Sequence, residues 1–428
     1  MQVAASPLTT GVPNLRWLRL IPIAMLVYVI SFMDRTNISY AFEGMGRDLG
    51  IDKTAQGFAG GIFFVGYLFL QIPGGMLAER WSAKRFVGVM IFIWGVMAIL
   101  EGFVQNFTQL LVVRFLLGVA EGGIWPATLV LISHWFPSGE RARAYGFWMV
   151  NLALASIITQ PVSGAIVSTS GWRGLFIIEG ILPFVIAAPL WWGFIADRPE
   201  QAKWLSPRER DYIAHGLAAD RRDEPAPMTM RAALSQVRVW QFVGVYFLIQ
   251  VGFYGLNLWL PTLIKAITQQ GFATVGLIAA LPYVVAIFGL TGNGVWADRT
   301  RKYRLHVFGA LAVAAAALLI SVHAGTHAVW LSIFAVCLAM GGALAYDGPF
   351  WAAVSRTLPA AVLGGAMGLI NALGNLGGFL GPSIAGYLQQ KSGDFTSTAS
   401  VLAGSLLLGG IVMLTIRTRN APTAAAPA

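Results

Sequence analysis

Long apolar stretches alternate with short polar ones along most of the chain. Each apolar stretch is long enough for an α-helix to cross the hydrocarbon core of a bilayer, which takes about 20 residues. A polar stretch at 196–238 separates six of these windows from six more. The pattern therefore predicts an all-α membrane fold with twelve transmembrane helices in two six-helix bundles. The windows fall at 20–43, 56–78, 86–104, 110–133, 144–168, 174–195, 239–263, 274–297, 306–324, 329–353, 364–388 and 398–416.

The polar segments complete the predicted domain order. In the central loop, Ser206, Pro207 and Glu209 follow the order of an N-cap, a first helical residue and an acid of the first turn. We therefore expect a short amphipathic helix from Pro207 to about Ala219. The predicted domains are a cytoplasmic tail at 1–19, a six-helix bundle at 20–195, a cytoplasmic linker at 196–238, a second bundle at 239–416 and a disordered tail at 417–428.

Composition and charge agree with a membrane protein. Of the 428 residues, 57% are hydrophobic and 11% are charged, whereas a soluble domain carries about 25% charged residues. Most of the 29 Lys and Arg residues lie in the loops that would share one side with the N-terminus. This asymmetry predicts cytoplasmic termini. The net charge of +10 is accounted for by these basic loop residues, which orient the protein in the membrane. No nucleic-acid partner is therefore expected.

Several other functional classes are not supported by the sequence. The first apolar window lacks a following small-residue cleavage site, so we interpret it as a retained helix. The single cysteine, Cys337, excludes an intrachain disulfide. The five histidines show no metal-ligand spacing, and no nucleophile–base motif is present. We therefore expect neither an enzyme nor a metal or cofactor site.

An acid and a base stand side by side within the first window. Asp34 and Arg35 lie past its midpoint rather than at an end. An unpaired charge in hydrocarbon costs about 2.5–3.5 kcal/mol or more, so such residues usually face a bundle interior and serve function. The fourth window also contains a base and an acid, Arg114 and Glu121. They stand two helical turns apart on one face, about 10 Å along the axis, so each needs a partner on another helix.

Two interpretations of these four charges stay open. Static ion pairs would join Arg114 to Asp34 and Arg35 to Glu121 as struts. Buried ion pairs contribute little net stability, so we favour pairs that open and exchange partners. Three acids, Glu43, Glu101 and Glu179, are expected near the external surface, where water can reach them. Asp347, before Gly348 and Pro349, is expected to cap a proline break rather than to carry protons.

The second half repeats landmarks of the first at an offset of about 220 residues. Ala-Glu-Arg at 78–80 matches Ala-Asp-Arg at 297–299, and Ser133 and Pro137 match Ser355 and Pro359. Transporters built from repeats bind substrate near the bilayer midplane between the repeats.

With these features the chain resembles the major facilitator superfamily, whose loop motif is Gly-x-x-x-Asp-Arg-x-Gly-Arg-Lys/Arg. More closely it resembles the anion:cation symporter branch, which contains permeases for sugar acids, tartrate and aromatic carboxylates. The residues of the loop motif are Gly75, Glu79, Arg80, Ser82, Lys84 and Arg85, with Gly294, Asp298, Arg299 and Lys302 in the second half. The branch motifs are Asp34-Arg35-x-Asn37, QIPGG at 71–75, Arg114 with Glu121, HWFP at 134–137 and FIIEG at 176–180.

The resemblance implies roles for individual residues. Arg35 and Arg114 would bind a substrate carboxylate, with Tyr67, Trp351 and Asn371 as further substrate contacts. Asp34 and Glu121 would take up the coupling protons. The implied gating residues are Gly75, Glu79, Arg80, Arg85, Asp298 and Arg299.

These observations predict a secondary transporter that carries a small organic anion with protons across a bacterial inner membrane by alternating access. We expect a monomer in the bilayer, with a sugar acid, hydroxy diacid or aromatic carboxylate as substrate. An exchanger or uniporter without proton coupling is the first alternative. A non-transporting sensor on the same helices is the second.

Overall fold

A computed structural model describes residues 14–223 and 234–416. The described chain is nearly all helical, which confirms the predicted fold class. Short π-helical turns at Ala78–Ser82 and Pro183–Ala187 and a 3-10 turn at Pro199–Gln201 interrupt the α-helices. The α-helices are α1 Leu15–Thr36, α2 Ile38–Leu49, α3 Lys53–Leu77, α4 Ala83–Glu101, α5 Phe107–Gly122, α6 Ile124–Trp135, α7 Ser138–Met149, α8 Asn151–Leu182, α9 Ala188–Phe194, α10 Pro207–Asp223, α11 Val237–Thr268, α12 Phe272–Thr300, α13 Tyr303–Ala324, α14 Val329–Ala345, α15 Asp347–Thr357, α16 Ala360–Gly374, α17 Gly377–Ser392 and α18 Thr396–Thr415.

Ten helical runs within the described residues are long and apolar enough to cross a membrane. Two of them, Lys53–Glu101 with 49 residues and Ser138–Phe194 with 57, are far longer than one crossing needs. At 1.5 Å per residue they would reach about 74 Å and about 86 Å, against a hydrocarbon core of about 30 Å. Each long run therefore has the length of two crossings, which agrees with the predicted twelve windows.

Local backbone features divide these long runs. Ser82 is extended and its side chain accepts a hydrogen bond from the Arg85 amide, so that it caps the start of α4. Gly171, inside the residues assigned to α8, has φ 67° and ψ −178°. A φ in this region strains any residue with a Cβ. The glycine therefore allows the chain to turn between the fifth and sixth predicted windows.

The described chain divides into two compact units. Residues 14–50 and 62–223 form the first, and residues 51–61 and 234–416 form the second. These boundaries differ from the predicted domains at two places. Residues 51–61 cluster with the second unit, and the linker helix α10 clusters with the first. The predicted tail at 417–428 lies outside the described residues.

A buried ion-pair network attaches α10 within the first unit. Arg16, in the segment predicted to be the cytoplasmic tail, lies in α1 and is 1% exposed. Its guanidinium pairs at 2.7 Å with Glu140 at the start of α7 and at 2.7 Å with Glu209 of α10. Tyr212 donates to the other oxygen of Glu140 at 2.9 Å. Burial of Arg16 explains why the first helix begins at Leu15, five residues before the predicted boundary.

Candidate functional site

The first transmembrane segment is interrupted just after the predicted acid–base pair. The helix α1 ends at Thr36, and α2 begins at Ile38 after a turn at Asn37. Asp34 and Arg35 thus lie in the last turn of α1, with 1% and 3% of their surfaces exposed. The last four carbonyls of a helix lack helical partners. No water is available in hydrocarbon to satisfy them.

Arg114 satisfies two of these carbonyls. Its Nη1 donates to the Asp34 carbonyl at 3.2 Å and its Nη2 to the Arg35 carbonyl at 3.1 Å. The Met33 carbonyl accepts from the Asn37 amide, and the Thr36 carbonyl from the Ser39 hydroxyl at 2.7 Å. The fully buried guanidinium of Arg114 therefore holds the end of α1 in place.

Each arginine also pairs with a carboxylate from a different helix. Arg35 lies 3.3 Å from Oε2 of Glu121 on α5, and the Ser31 hydroxyl donates to the same oxygen at 2.8 Å. Arg114 lies 3.3 Å from Oε1 of Glu101 on α4. The predicted pair of Arg35 with Glu121 is thus present. The Asp34 carboxylate does not pair with Arg114; instead, it accepts a hydrogen bond from Trp94 Nε1 at 3.0 Å.

Aromatic rings surround the Arg35 guanidinium. Its central carbon lies 4.6 Å from the ring centre of Tyr67 and 5.2–5.7 Å from those of Tyr28, Phe32 and Phe63. Rings of this kind attract a cation through their negative faces and lower the local dielectric. The structure thereby brings Tyr67 to Arg35.

Two acids expected near the surface are buried instead. Glu101 and Glu179 are each 0% exposed, whereas the Glu43 side chain is 45% exposed. Glu179 accepts hydrogen bonds from Asn37 Nδ2 at 2.9 Å and Ser163 Oγ at 2.7 Å. The expectation that water reaches Glu101 and Glu179 was wrong. Both acids lie near the ends of apolar windows, where the hydropathy pattern does not determine whether a side chain is buried in the helix bundle or exposed to water. We define the buried acid–base cluster as Asp34, Arg35, Glu101, Arg114, Glu121 and Glu179.

The predicted residues of the second unit meet around a tyrosine that sequence reasoning missed. Tyr246 of α11 donates to Asn371 Oδ1 at 3.5 Å, and its ring centre lies 5.4 Å from that of Trp351. Trp351 Nε1 also donates to Asp347 at 3.1 Å. Asp347 begins α15 without a side-chain bond to the backbone, so the predicted cap is not formed, although the helix breaks at Tyr346.

The predicted gating residues lie at helix ends. Glu79 lies in the π-helical turn after α3 and approaches His134 of the HWFP motif at 3.3 Å. Gly75 is in α3, while Arg80 and Arg85 are exposed. A cavity of about 440 Å³ is lined by Arg85 with Lys84, Asp197 and two tryptophans. In the second unit Asp298 accepts from Tyr303 at 3.0 Å, and Arg299 is exposed.

The described residues contain no group of three His, Cys, Asp or Glu side chains placed to hold a metal ion. The acids of the buried cluster are spread over four helices and alternate with arginines and neutral donors.

Comparison with known proteins identifies the family. The model of the Major Facilitator Superfamily matches residues 24–382. The chain belongs to the major facilitator superfamily. It is a multi-pass membrane protein of a transporter family and not an enzyme. A putative tartrate transporter of Agrobacterium vitis is 34% identical over 95% of this chain and 91% of its own length. The inner membrane transport protein RhmT of Escherichia coli is 32% identical, with coverage of 93% and 94%.

A solved structure of the superfamily shares the fold. A bacterial homologue of the human lysosomal transporter Spinster superposes with a TM-score of 0.71 over 92% of this chain and 94% of its own. Its sequence identity is 17%. The resemblance to organic-acid permeases of the major facilitator superfamily is thus confirmed by the relatives, and the fold by this structure.

Proposed function

We propose that this chain is a secondary transporter that carries a small organic anion together with protons across a bacterial inner membrane by alternating access. The observation that carries the proposal is the setting of Arg35. This arginine is buried in a membrane-spanning helix, faces four aromatic rings and pairs with Glu121. The name of the tartrate transporter from Agrobacterium vitis supports an organic acid as substrate.

Arg35 is the proposed first contact for the substrate carboxylate. A guanidinium donates two parallel hydrogen bonds to a carboxylate, which fixes its orientation as well as its charge. Glu121 contacts Arg35 through one oxygen at 3.3 Å. The other terminal nitrogen, Nη1, donates to the Tyr28 hydroxyl at 3.5 Å. An incoming carboxylate that uses both Nη atoms would therefore replace the contact with Glu121 and the bond to Tyr28 by a bidentate pair of hydrogen bonds. The hydroxyl of Tyr67, beside Arg35, is a proposed further contact.

Proton coupling follows from this exchange. When the anion occupies Arg35, Glu121 loses its cationic partner and retains the Ser31 hydroxyl. A buried carboxylate without a counter-charge is strongly disfavoured, so it takes up a proton. Anion and proton binding then favour each other, and the coupling is reciprocal. Asp34, whose carboxylate accepts from Trp94 alone among the described residues, is the second proposed proton acceptor.

Arg114, which was predicted to bind the substrate carboxylate beside Arg35, is instead proposed to support that site, because its guanidinium already donates to the Asp34 and Arg35 carbonyls. Trp351 and Asn371 keep their predicted role and would contribute substrate contacts from the second unit. Gly75, Glu79, Arg80, Arg85, Asp298 and Arg299 are proposed to control gating. The pair of Glu79 with His134 is the contact that supports this role in the first unit.

Uptake into proteoliposomes tests the proposal. Thermal-shift screening of sugar acids, hydroxy diacids and benzoates first selects the acid that stabilises the protein most. We expect an inward-directed proton gradient to drive accumulation of that acid. If the uptake rate does not depend on the proton gradient while counterflow continues, the protein is an exchanger or a uniporter. Binding without any flux would identify a sensor.

Matched variants separate coupling from binding. In Glu121→Gln the side chain keeps its shape and can no longer exchange a proton. We expect this variant to retain counterflow and to lose gradient-driven accumulation. Glu43→Gln, at an exposed carboxylate, is the control and should behave as the parent protein. Gradient-driven accumulation by Glu121→Gln would contradict the assigned role of Glu121.

A further inference from the structure

The buried acid–base cluster contains two more acids than bases. Its six side chains are at most 3% exposed. If all six were ionised, the first unit would hold a net charge of −2 in its core. Burial of an uncompensated carboxylate is so unfavourable that the group becomes neutral instead. The composition of the cluster therefore requires that some of its acids carry protons.

The ion pairs indicate which acids are ionised. Arg35 compensates Glu121 and Arg114 compensates Glu101, each at 3.3 Å. Asp34 and Glu179 have no ion pair among the described residues. Asp34 is already a proposed proton acceptor. Glu179 is the acid that the proposed function leaves without a role.

The surroundings of Glu179 are neutral hydrogen-bonding groups. Asn37 Nδ2 can only donate, so the Oε2 atom that it approaches at 2.9 Å is an acceptor. The Ser163 hydroxyl, 2.7 Å from Oε1, can either donate or accept. A carboxylic acid with its proton on Oε1 satisfies both contacts. Asn37 is also the residue at which α1 gives way to α2.

The charged groups of the neighbouring helices do not change this assignment. None of the basic side chains on the helices that pack against α8 forms an ion pair with Glu179 in the described structure. Arg173 of α8 itself donates to the Gly102 and Val104 carbonyls in the loop between α4 and α5. The helices that pack against α8 carry Arg16, Arg19, Asp34 and Arg35 on α1, Glu43, Arg47 and Asp48 on α2, and Lys84, Arg85 and Glu101 on α4.

We propose that Glu179 is a proton-binding residue that stays neutral at physiological pH and, through its hydrogen bond to Asn37, positions the Asp34–Arg35 pair at the end of α1. The inference rests on the proposed function for the role of that pair. It adds a proton that is resident rather than transported. The Asn37 amide can keep its place only while Oε2 accepts from it, and a neutral acid supplies this acceptor without adding an unpaired charge.

Infrared spectroscopy of the purified full-length protein tests the protonation state without any substrate. The parent protein should show the carbonyl stretch of a protonated carboxyl that Glu179→Gln lacks. The band should be present at physiological pH, well above the usual Glu range near 4.3. Glu43→Gln, at an exposed carboxylate, should leave this band unchanged. A missing difference band, or one that disappears around neutral pH, would overturn the proposal.

Conservative replacement tests the positioning role. Gln carries an acceptor and a donor where the neutral acid has them, so Glu179→Gln should unfold within about 2 °C of the parent protein, a shift equivalent to less than about 1 kcal/mol. It should also keep the parent protein's pH dependence of stability. Glu179→Ala should unfold at a clearly lower temperature. Equal destabilisation by Gln and Ala would contradict a neutral acid. Neither measurement involves transport, so failure here leaves the proposed symport standing, and failure of symport leaves this result unaffected.

Discussion

Removal of Arg16 should destabilise the first unit more than removal of any exposed cation. Arg16 is 1% exposed and pairs at 2.7 Å with both Glu140 and Glu209, whose side chains are 15% and 0% exposed. Its guanidinium also lies 5.3 Å from the ring centre of Tyr212. Arg16→Ala leaves two carboxylates without their cation, one of them with no access to water.

The expected loss follows from the burial of these groups. Breaking a buried ion pair by removal of one partner costs about 3–5 kcal/mol, because the other charge stays buried and uncompensated. For a folding unit of about 200 residues, each kcal/mol corresponds to about 2–4 °C in the unfolding temperature. Arg16→Ala should therefore lower the unfolding temperature by about 6–20 °C.

Arg47→Ala is the matched control. Arg47 pairs with Glu43 at 3.9 Å, and the two side chains are 75% and 45% exposed. An exposed pair of this kind contributes about 0–1 kcal/mol. The double variant Arg16→Met with Glu209→Gln removes the buried charges together and should recover much of the loss, since apolar replacement of a buried ion pair is often neutral.

Thermal unfolding in detergent, followed by tryptophan fluorescence, measures these shifts. Labelling of Cys337, the only cysteine of the chain, adds a reporter that lies in the second unit. A loss confined to the first unit should leave the temperature of Cys337 labelling closer to that of the parent protein. If Arg16→Ala unfolds within 2 °C of Arg47→Ala, a shift of less than about 1 kcal/mol, the reasoning from burial is refuted.

Two further predictions concern the surroundings of Arg35. A Cβ at Gly118 of α5 would overlap the Phe63 carbonyl of α3, so Gly118→Ala should destabilise the protein by about 1–3 kcal/mol. Gly146→Ala is the control, because no atom lies within 4 Å of the Cβ that it adds. Equal unfolding temperatures of the two variants would contradict close packing at Gly118. Arg35→Lys keeps the charge and loses the planar guanidinium, so the acid selected by thermal shift should bind about 10–100-fold more weakly, as expected for loss of a charge-assisted hydrogen bond. Titration of the variant with this acid, followed by the same thermal shift, measures the loss. If the variant binds the acid as tightly as the parent protein, bidentate binding by Arg35 is excluded.

The apolar windows predicted most of the architecture because a bilayer imposes one length on every crossing. They could not predict which helix supplies the partner of Arg114. Helical spacing gives the face on which a side chain lies, but not which neighbour meets that face. Glu101 of α4 takes this place, and Asp34 contributes its carbonyl rather than its carboxylate.

The contacts of charged residues just outside the apolar windows could not be predicted from the sequence. The sequence predicts Arg16 in the cytoplasmic tail, although it lies in α1 and its guanidinium is buried against two carboxylates from distant segments. Its partner Glu209 was expected only to mark the first turn of a short surface helix. Long-range pairs of this kind leave no local pattern, because each residue taken alone has the composition of a solvated loop.

The two arginines of the cluster differ in what an incoming anion would displace. Arg114 donates to Glu101 and to two carbonyls at the end of α1. An anion that displaced these carbonyls would leave them unsatisfied in the membrane, which costs several kcal/mol for each group. At Arg35 the proposed anion would replace the Glu121 carboxylate and the Tyr28 hydroxyl, and Glu121 would be neutralised by a proton. We therefore propose Arg35 as the site of exchange and Arg114 as the support that holds the end of α1 in place.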